Sequence, residues 1–477
     1  MLDKEVYTPF SKVLLSPDGK ETNKAYIEII LQEEIPVFCE NKSENKYRLM
    51  PFKVLYDNNE YFWLKPGNWE YGLTKDGLDK LNEKIKAKQA AVHNETMKDD
   101  IPELEELTAE ELTVEVGYGK EYNEISKMTH TEKIDKLNKD KNRLHDLVRN
   151  PSSAGIVTEA IVDTTSDAAL INHAYLEEAM RLGDEEAKKF TQELVDSTSE
   201  MVKSSTHLVM DDVFSNELMS QLVSKSNGTI VQHITRVFVS GISFLAYYNK
   251  LVSTSSAIQR IRISFPSKYR SFYVPLLPHL HIEDLTMEHV FCGGMRAISP
   301  ELLHNWAIGF LIHDIGKATA VEYHEGEAAY NRDIVTEHVK QGFNYIMKKT
   351  NYPKEAGLIT GYHHEYYGSA DGYGYFRAYL QQYKKHNPAA KQDYCIAYDR
   401  EPILDFKAHA YFPAKILEII DIYDSLTDPN RAYKKPMAPE EALVLMKEQF
   451  IVKQRKIDFI LFDIFAAFIR KQAAQRS

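Results

Sequence analysis

Beyond residue 119 apolar positions recur at three- and four-residue steps along most of the chain, the spacing of amphipathic helices. The start is different. Residues 1–80 are rich in β-branched and aromatic side chains broken by turn signals such as "SPDG", "YDNN" and "KPGN", which predicts a small strand-rich domain. Between 81 and 118 the chain becomes charged, with a helix in "KLNEKIKAKQ" and an acidic linker in "DDIPELEELTAEEL". Residues 119–225 read as helices, and their sequence leaves open whether they form a regulatory module or a dimerisation element. The pattern stays helical from 226 to 477 apart from two stretches, 254–282 with "RIRISFPSKYRSFYVPLLPHLH" and 366–410, rich in Tyr, Gly and Pro. The expected fold class is therefore mostly α, with a small β-containing N-terminal domain.

Composition narrows this only slightly. The 477 residues are 43% hydrophobic, enough for a packed core and two to four domains. Cys39, Cys292 and Cys395 are widely separated and show no CxxC spacing, so neither a disulfide framework nor a thiolate zinc site is expected, and a reducing cytoplasm fits. The longest apolar runs, "VFVSGISFLAYY" and "FILFDIFAAFI", fall short of a membrane span, and no targeting segment is read. A net charge of −12 argues against binding duplex nucleic acid but is compatible with a small phosphate ligand held by local cations.

The candidate chemistry begins where the core-facing run "NWAIGFLI" ends on "HDIGK" at 313–317. His233, His313, His338, His363 and His364 lie on or beside apolar helices, as do Asp314, Asp421 and Asp424. Each alone is weak evidence. Together they place ionisable groups at core-facing edges, where an unpaired charge is costly and a metal relieves it. Imidazole and carboxylate donors without thiolates suit Fe, Mn, Zn or Co. An aspartate beside a histidine can offer one oxygen to each of two ions, and ions about 3.5–4 Å apart suit hydrolysis of a phosphodiester. Lys317 then supplies an ammonium for a phosphate oxygen, or else simply complements a helix C-terminus.

"HDIGK" at 313–317, "HHE" at 363–365, "DGYGYF" at 371–376 and "DIYDSLTDPNRAYKK" at 421–435 follow the order of the signature motifs of the HD-GYP cyclic-di-GMP phosphodiesterases, which residues 226–440 resemble. "HITRV" at 233–237 is similar to that family's opening helix motif. The resemblance implies an HD-domain helical bundle with two divalent metal ions, Fe or Mn, acting in bacterial second-messenger signalling. His233, His313, Asp314 and Asp421 would hold one ion, and Asp314, His338, His363 and His364 the other. Lys317 would contact the scissile phosphate, Arg431 and Lys434 would grip the nucleotide, and Asp424 would orient its segment. The product would be linear pGpG and, with a second cleavage, GMP.

This chain departs from the family in several places. His313 follows His233 by 80 residues, a longer separation than is usual, which implies an insertion at about 254–304 and makes His289 in "TMEHVFCGG" a rival first ligand; a second insertion, at about 377–410, precedes Asp421. Thr229 and Leu285 stand where a third-metal glutamate would be, so two metals are expected. Gly374-Tyr375-Phe376 replaces Gly-Tyr-Pro in the loop that, by resemblance, places Tyr375 at the substrate mouth and meets a signalling partner. Other readings stay open. They are another cyclic dinucleotide such as cyclic GMP-AMP, a nucleotide monoester, a cyclic-dinucleotide sensor with weak or no turnover, a di-iron oxygenase, and a homodimeric assembly.

Overall fold

A computed structural model describes residues 7–9, 30, 35, 37–41, 46–49, 69–84, 119–150, 152–210, 230–254, 256–317, 332–368, 372–377, 394–428 and 436–474. Arg431, Lys434 and Thr229, the acidic linker and residues 378–393 of the 377–410 insertion lie outside the described residues. The fold is mostly helical with few strands. The chain divides into two units, Met1–Glu106 with Ser264–Val274 and His279–Thr286, and Leu107–Ile263 with Pro275–Pro278 and Met287–Ser477. The second unit thus contains both the helices described between 119 and 210 and the motif-bearing helices.

In the first unit β1 (Tyr7–Pro9), β2 (Val37–Asn41), β3 (Lys46–Leu49) and β4 (Trp69–Thr74) form an antiparallel sheet in the order β1-β4-β2-β3. The turn-punctuated, aromatic-rich sequence anticipates these short strands. A helix follows directly at 75–84, with Thr74 Oγ1 accepting from the Gly77 amide at 3.2 Å, and Ile30, Ile35, Leu73 and Leu81 are buried.

The second unit is a stack of helices. α1 (His130–Arg149) starts at a capping box, with the Thr129 amide donating to Glu132 Oε2 at 2.7 Å and the Glu132 amide to Thr129 Oγ1 at 3.3 Å. α2 (Ala154–Arg181) and α3 (Asp184–Val209) pack against it. α4 (Ile230–Thr254) lies against α2, α5 (Pro300–Leu311) and α8 (Phe412–Thr427). α6 (Arg332–Asn344) and α7 (Lys354–Tyr362) close the group, α7 touching α5, α6 and α8. α9 (Phe459–Ala474) backs α4 and α8, with Phe244 edge-on to Phe465 and Phe468.

Two features fix where α5 delivers its end. Ser299 caps its N-terminus, accepting from the Leu302 amide at 3.2 Å with Pro300 in the first turn, and Trp306 is buried against Tyr411 and Phe412. Burying such an aromatic contributes on the order of 2–3 kcal/mol, so the helix is well anchored before it reaches the polar residues at its end. No helix among the described residues is long and apolar enough to cross a membrane.

Candidate metal centre

Five elements deliver the polar residues to one buried place. α4 carries His233, the turn after α5 carries His313 and Asp314, α6 carries His338, the C-terminal end of α7 carries His363 and His364, and α8 carries Asp421. All seven are buried. They fall into two donor groups, His233 with His313 and Asp421, and His338 with His363 and His364.

Asp314 stands between the groups. Its Oδ2 lies 3.2 Å from His313 Nε2 and 3.5 Å from His233 Nε2, while its Oδ1 lies 3.3 Å from His338 Nε2 and 3.6 Å from His363 Nε2. Each carboxylate oxygen therefore faces a different group. Lys317, one turn on, donates to Asp314 Oδ2 at 2.7 Å. Gly316 is required for this turn, because a Cβ there would overlap the carbonyl oxygen of His338 and lie 2.7 Å from the Gly342 amide nitrogen. Only glycine lets the "HDIGK" turn approach α6 closely enough to bring Asp314 to His338.

Neighbouring carbonyls and carboxylates set the ring orientations. His313 Nδ1 donates to the Phe310 carbonyl at 2.9 Å and His363 Nδ1 to the Thr360 carbonyl at 2.8 Å, which leaves both Nε2 lone pairs inward. His233 Nδ1 meets Asp424 Oδ2 at 2.8 Å with Nε2 directed at Asp421 Oδ1, 3.1 Å away. Asp424 is held in turn by Arg236, through Nε at 2.7 Å and Nη2 at 2.9 Å, and Arg236 also reaches Asp428 at 2.7 Å.

The electrostatics separate the two groups. Burial opposes charge on His233, but hydrogen bonding to Asp314, Asp421 and Asp424 raises its pKa well above the ordinary value. Burial likewise opposes charge on Asp314, yet His313, Lys317 and His233 hold it well below the usual carboxylate range. In the other group burial dominates, pushing His338 down to about 4, lowering His363 and taking His364 well below its ordinary value. Neutral imidazoles are the form that binds metal.

The donor set fits a metal on the structure's own terms. His313 Nε2 and His364 Nε2 are buried without a hydrogen-bond partner, and Asp314 Oδ1 accepts no well-formed hydrogen bond although His338 is 3.3 Å away. Buried polar atoms left this way are expensive unless a further ligand satisfies them. The donors are nitrogen and oxygen only, suited to a divalent first-row metal.

Other predicted residues have other surroundings. His289, the rival first ligand, is exposed on the single turn Met287–Val290 and belongs to neither donor group, whereas His233 belongs to one. Tyr375 packs on Phe343 and Phe376, whereas Tyr373 stacks on His364 with ring centroids 4.2 Å apart. The 372–377 loop is tied down by the Tyr373 and Gly374 amides donating to the His364 carbonyl at 3.0 and 3.2 Å. Tyr366 and Tyr367, directly after "HHE", both have positive φ, a conformation that costs about 1–3 kcal/mol per residue. Tyr366 is held by His364 Nδ1 at 3.1 Å and Tyr367 by Asp458 at 2.5 Å.

Three contributors have no role in the sequence reading, although Arg236 and Asp428 stand inside the quoted "HITRV" and "DIYDSLTDPNRAYKK" motifs. Arg236 and Asp428 complete the support of Asp424, and their spacings, i+3 from His233 and i+4 from Asp424, were the available signal. His173 on α2 is buried and pushed down to about 3, chiefly by burial, while also feeling Asp314, His313 and Lys317. Its surroundings in sequence, an ordinary amphipathic helix, give no sign of this. Comparison of the chain with protein-family models, with curated proteins and with solved structures found no match.

Proposed function

We propose that this chain is a metal-dependent phosphodiesterase of the HD-GYP type that hydrolyses cyclic di-GMP to linear pGpG, with GMP the product of any second cleavage. The observation that supports it most is the position of Asp314, with Oδ2 toward His233 and His313 and Oδ1 toward His338 and His363. One carboxylate serving two adjacent donor groups is what a dinuclear phosphodiesterase needs. On this reading α4 to α8 are the helices of an HD domain. His233, His313 and Asp421 would hold one divalent ion, His338, His363 and His364 the other, and Asp314 both, with iron or manganese suiting the donors. Such ions, when bound, supply Lewis acidity toward phosphoryl oxygens and acidify water.

The protein's own groups provide the rest. The carbonyls of Phe310 and Thr360 fix the tautomers of His313 and His363, and Asp424 with Arg236 fixes the His233 ring. Lys317, beside Asp314 and only partly buried, can balance charge on a phosphate oxygen entering next to the carboxylate. Tyr373 covers His364 and limits water on that side. The choice of cyclic di-GMP follows from the sequence motifs, including Arg431 and Lys434 for the nucleotide.

A second reading, a cyclic-dinucleotide sensor without turnover, draws on the same cover: Tyr373 lies flat on a fully buried His364, a closed arrangement suited to holding a ligand. Protein reconstituted anaerobically with iron or manganese and incubated with cyclic di-GMP or cyclic GMP-AMP separates the two. Linear products support the hydrolase, and saturable binding without product supports the sensor. Neither binding nor product would overturn both.

A further inference from the structure

Cys292 and Cys395 are 103 residues apart in sequence, yet their Sγ atoms lie 2.6 Å apart. The sequence reading expects no disulfide framework from their spacing and both are free thiols, yet separation along the chain says nothing of separation once β5 (Ile396–Ala397) folds back. Phe291 bridges Ile396 in parallel fashion, and the Cys292 amide donates to the Ile396 carbonyl at 3.0 Å. β5 is pinned on its other side by parallel pairing with β6 (Ala410–Tyr411), which leads into α8. A second tie, Arg296 to Asp399 at 2.5 Å, joins the same two segments a few residues on. Gly293 and Gly294, both with positive φ, turn the chain away immediately after Cys292 without disturbing the bridge.

The two thiols differ in access. Cys292 is exposed and Cys395 is buried, an arrangement of one sulfur open to attack and one held behind it. We propose that Cys292 and Cys395 form a dithiol site that reacts with low-molecular-weight disulfides and closes an intramolecular disulfide. The Cys292 thiolate attacks one sulfur of the small disulfide, RSSR, forming a mixed disulfide and expelling RS⁻. The Cys395 thiolate then attacks the Cys292 sulfur, forming the Cys292–Cys395 bond and expelling the second RS⁻. RSSR is reduced by two electrons to two RSH, which take up the two cysteine protons, and the cysteine pair is oxidised by the same two electrons. The closed ring spans His313, Asp314, His338, His363 and His364 and leaves His233 and Asp421 outside it. Oxidation thereby fastens the stretch carrying five of the candidate ligands at both of its ends.

The test uses full-length protein equilibrated with oxidised glutathione, quenched under denaturing conditions, alkylated and mapped by mass spectrometry. The expected result is a mass loss of two hydrogens, a Cys292–Cys395 cross-linked peptide, alkylation at Cys39 alone, and full reversal by dithiothreitol. Amide exchange at 291–296 should slow at least tenfold on oxidation, since opening of the Cys292 to Ile396 bridge is then blocked. C39S should retain the cross-link. Alkylation of both Cys292 and Cys395 after treatment, a stable glutathione adduct on Cys292, or a cross-link through Cys39 would overturn the proposal, and all three are read on the unaltered protein.

Discussion

Gly316→Ala isolates the packing that brings the two donor groups together. The added Cβ would overlap the His338 carbonyl oxygen and sit 2.7 Å from the Gly342 nitrogen, both backbone atoms that cannot rotate aside. Relief therefore requires the "HDIGK" turn and α6 to separate by about 1 Å. Overpacking of this kind costs about 1–3 kcal/mol, and the upper end is expected because no side chain can yield. The same movement pulls His338 Nε2 away from Asp314 Oδ1, now 3.3 Å away, so metal affinity should fall by about 10–100-fold, as for other disturbances around a site. Urea denaturation with elemental analysis of the purified variant measures both effects. Gly183→Ala is the control, since a Cβ there meets nothing within 4 Å, and it should shift stability by less than about 1 kcal/mol. A Gly316→Ala protein with unchanged midpoint and metal content would refute the argument.

Three further outcomes are expected. Asp424→Ala removes the acceptor of both His233 Nδ1 and the Arg236 guanidinium; the buried charge left behind should cost about 3 kcal/mol or more in denaturant titrations, at the low end of the range because Asp428 remains bonded. His289→Ala should leave metal content unchanged while His233→Ala lowers it, as elemental analysis can show. Asp140 is pushed up to about 7 by burial and by Asp167, against Lys136, so between pH 4 and 7 the folded chain keeps a proton that the unfolded chain releases. Its contribution to stability is thus lost as pH rises through that window, and Asp140→Asn should be more stable than the parent above pH 7 by about 1–2 kcal/mol after allowance for screening. Equal stabilities across pH 5–8 would count against that sign.

The helical class and the short N-terminal strands were legible because periodicity and turn chemistry are local. So was the grouping of His233, His313, His338, His363, His364 and Asp421, since each stands on a core-facing edge where a bare polar residue is conspicuous. What stayed hidden depends on tertiary approach. Gly316 looks like any glycine until α6 arrives against it, and His173 resembles a surface position until α2 packs on α4. The meeting of Cys292 and Cys395 depends on β5 returning to the chain before α5, a pairing that no local pattern encodes. Tyr373 rather than Tyr375 lies on His364 because backbone bonds from the loop to the His364 carbonyl set which ring faces inward.

The account turns on Asp314 serving both donor groups. The most direct measurement is metal content per chain, by elemental analysis after anaerobic reconstitution with iron or manganese, for the parent protein and for Asp314→Ala. About two ions in the parent and nearly none in the variant are predicted, since both sites lose a ligand together. One ion in the parent, or two retained in Asp314→Ala, would contradict it.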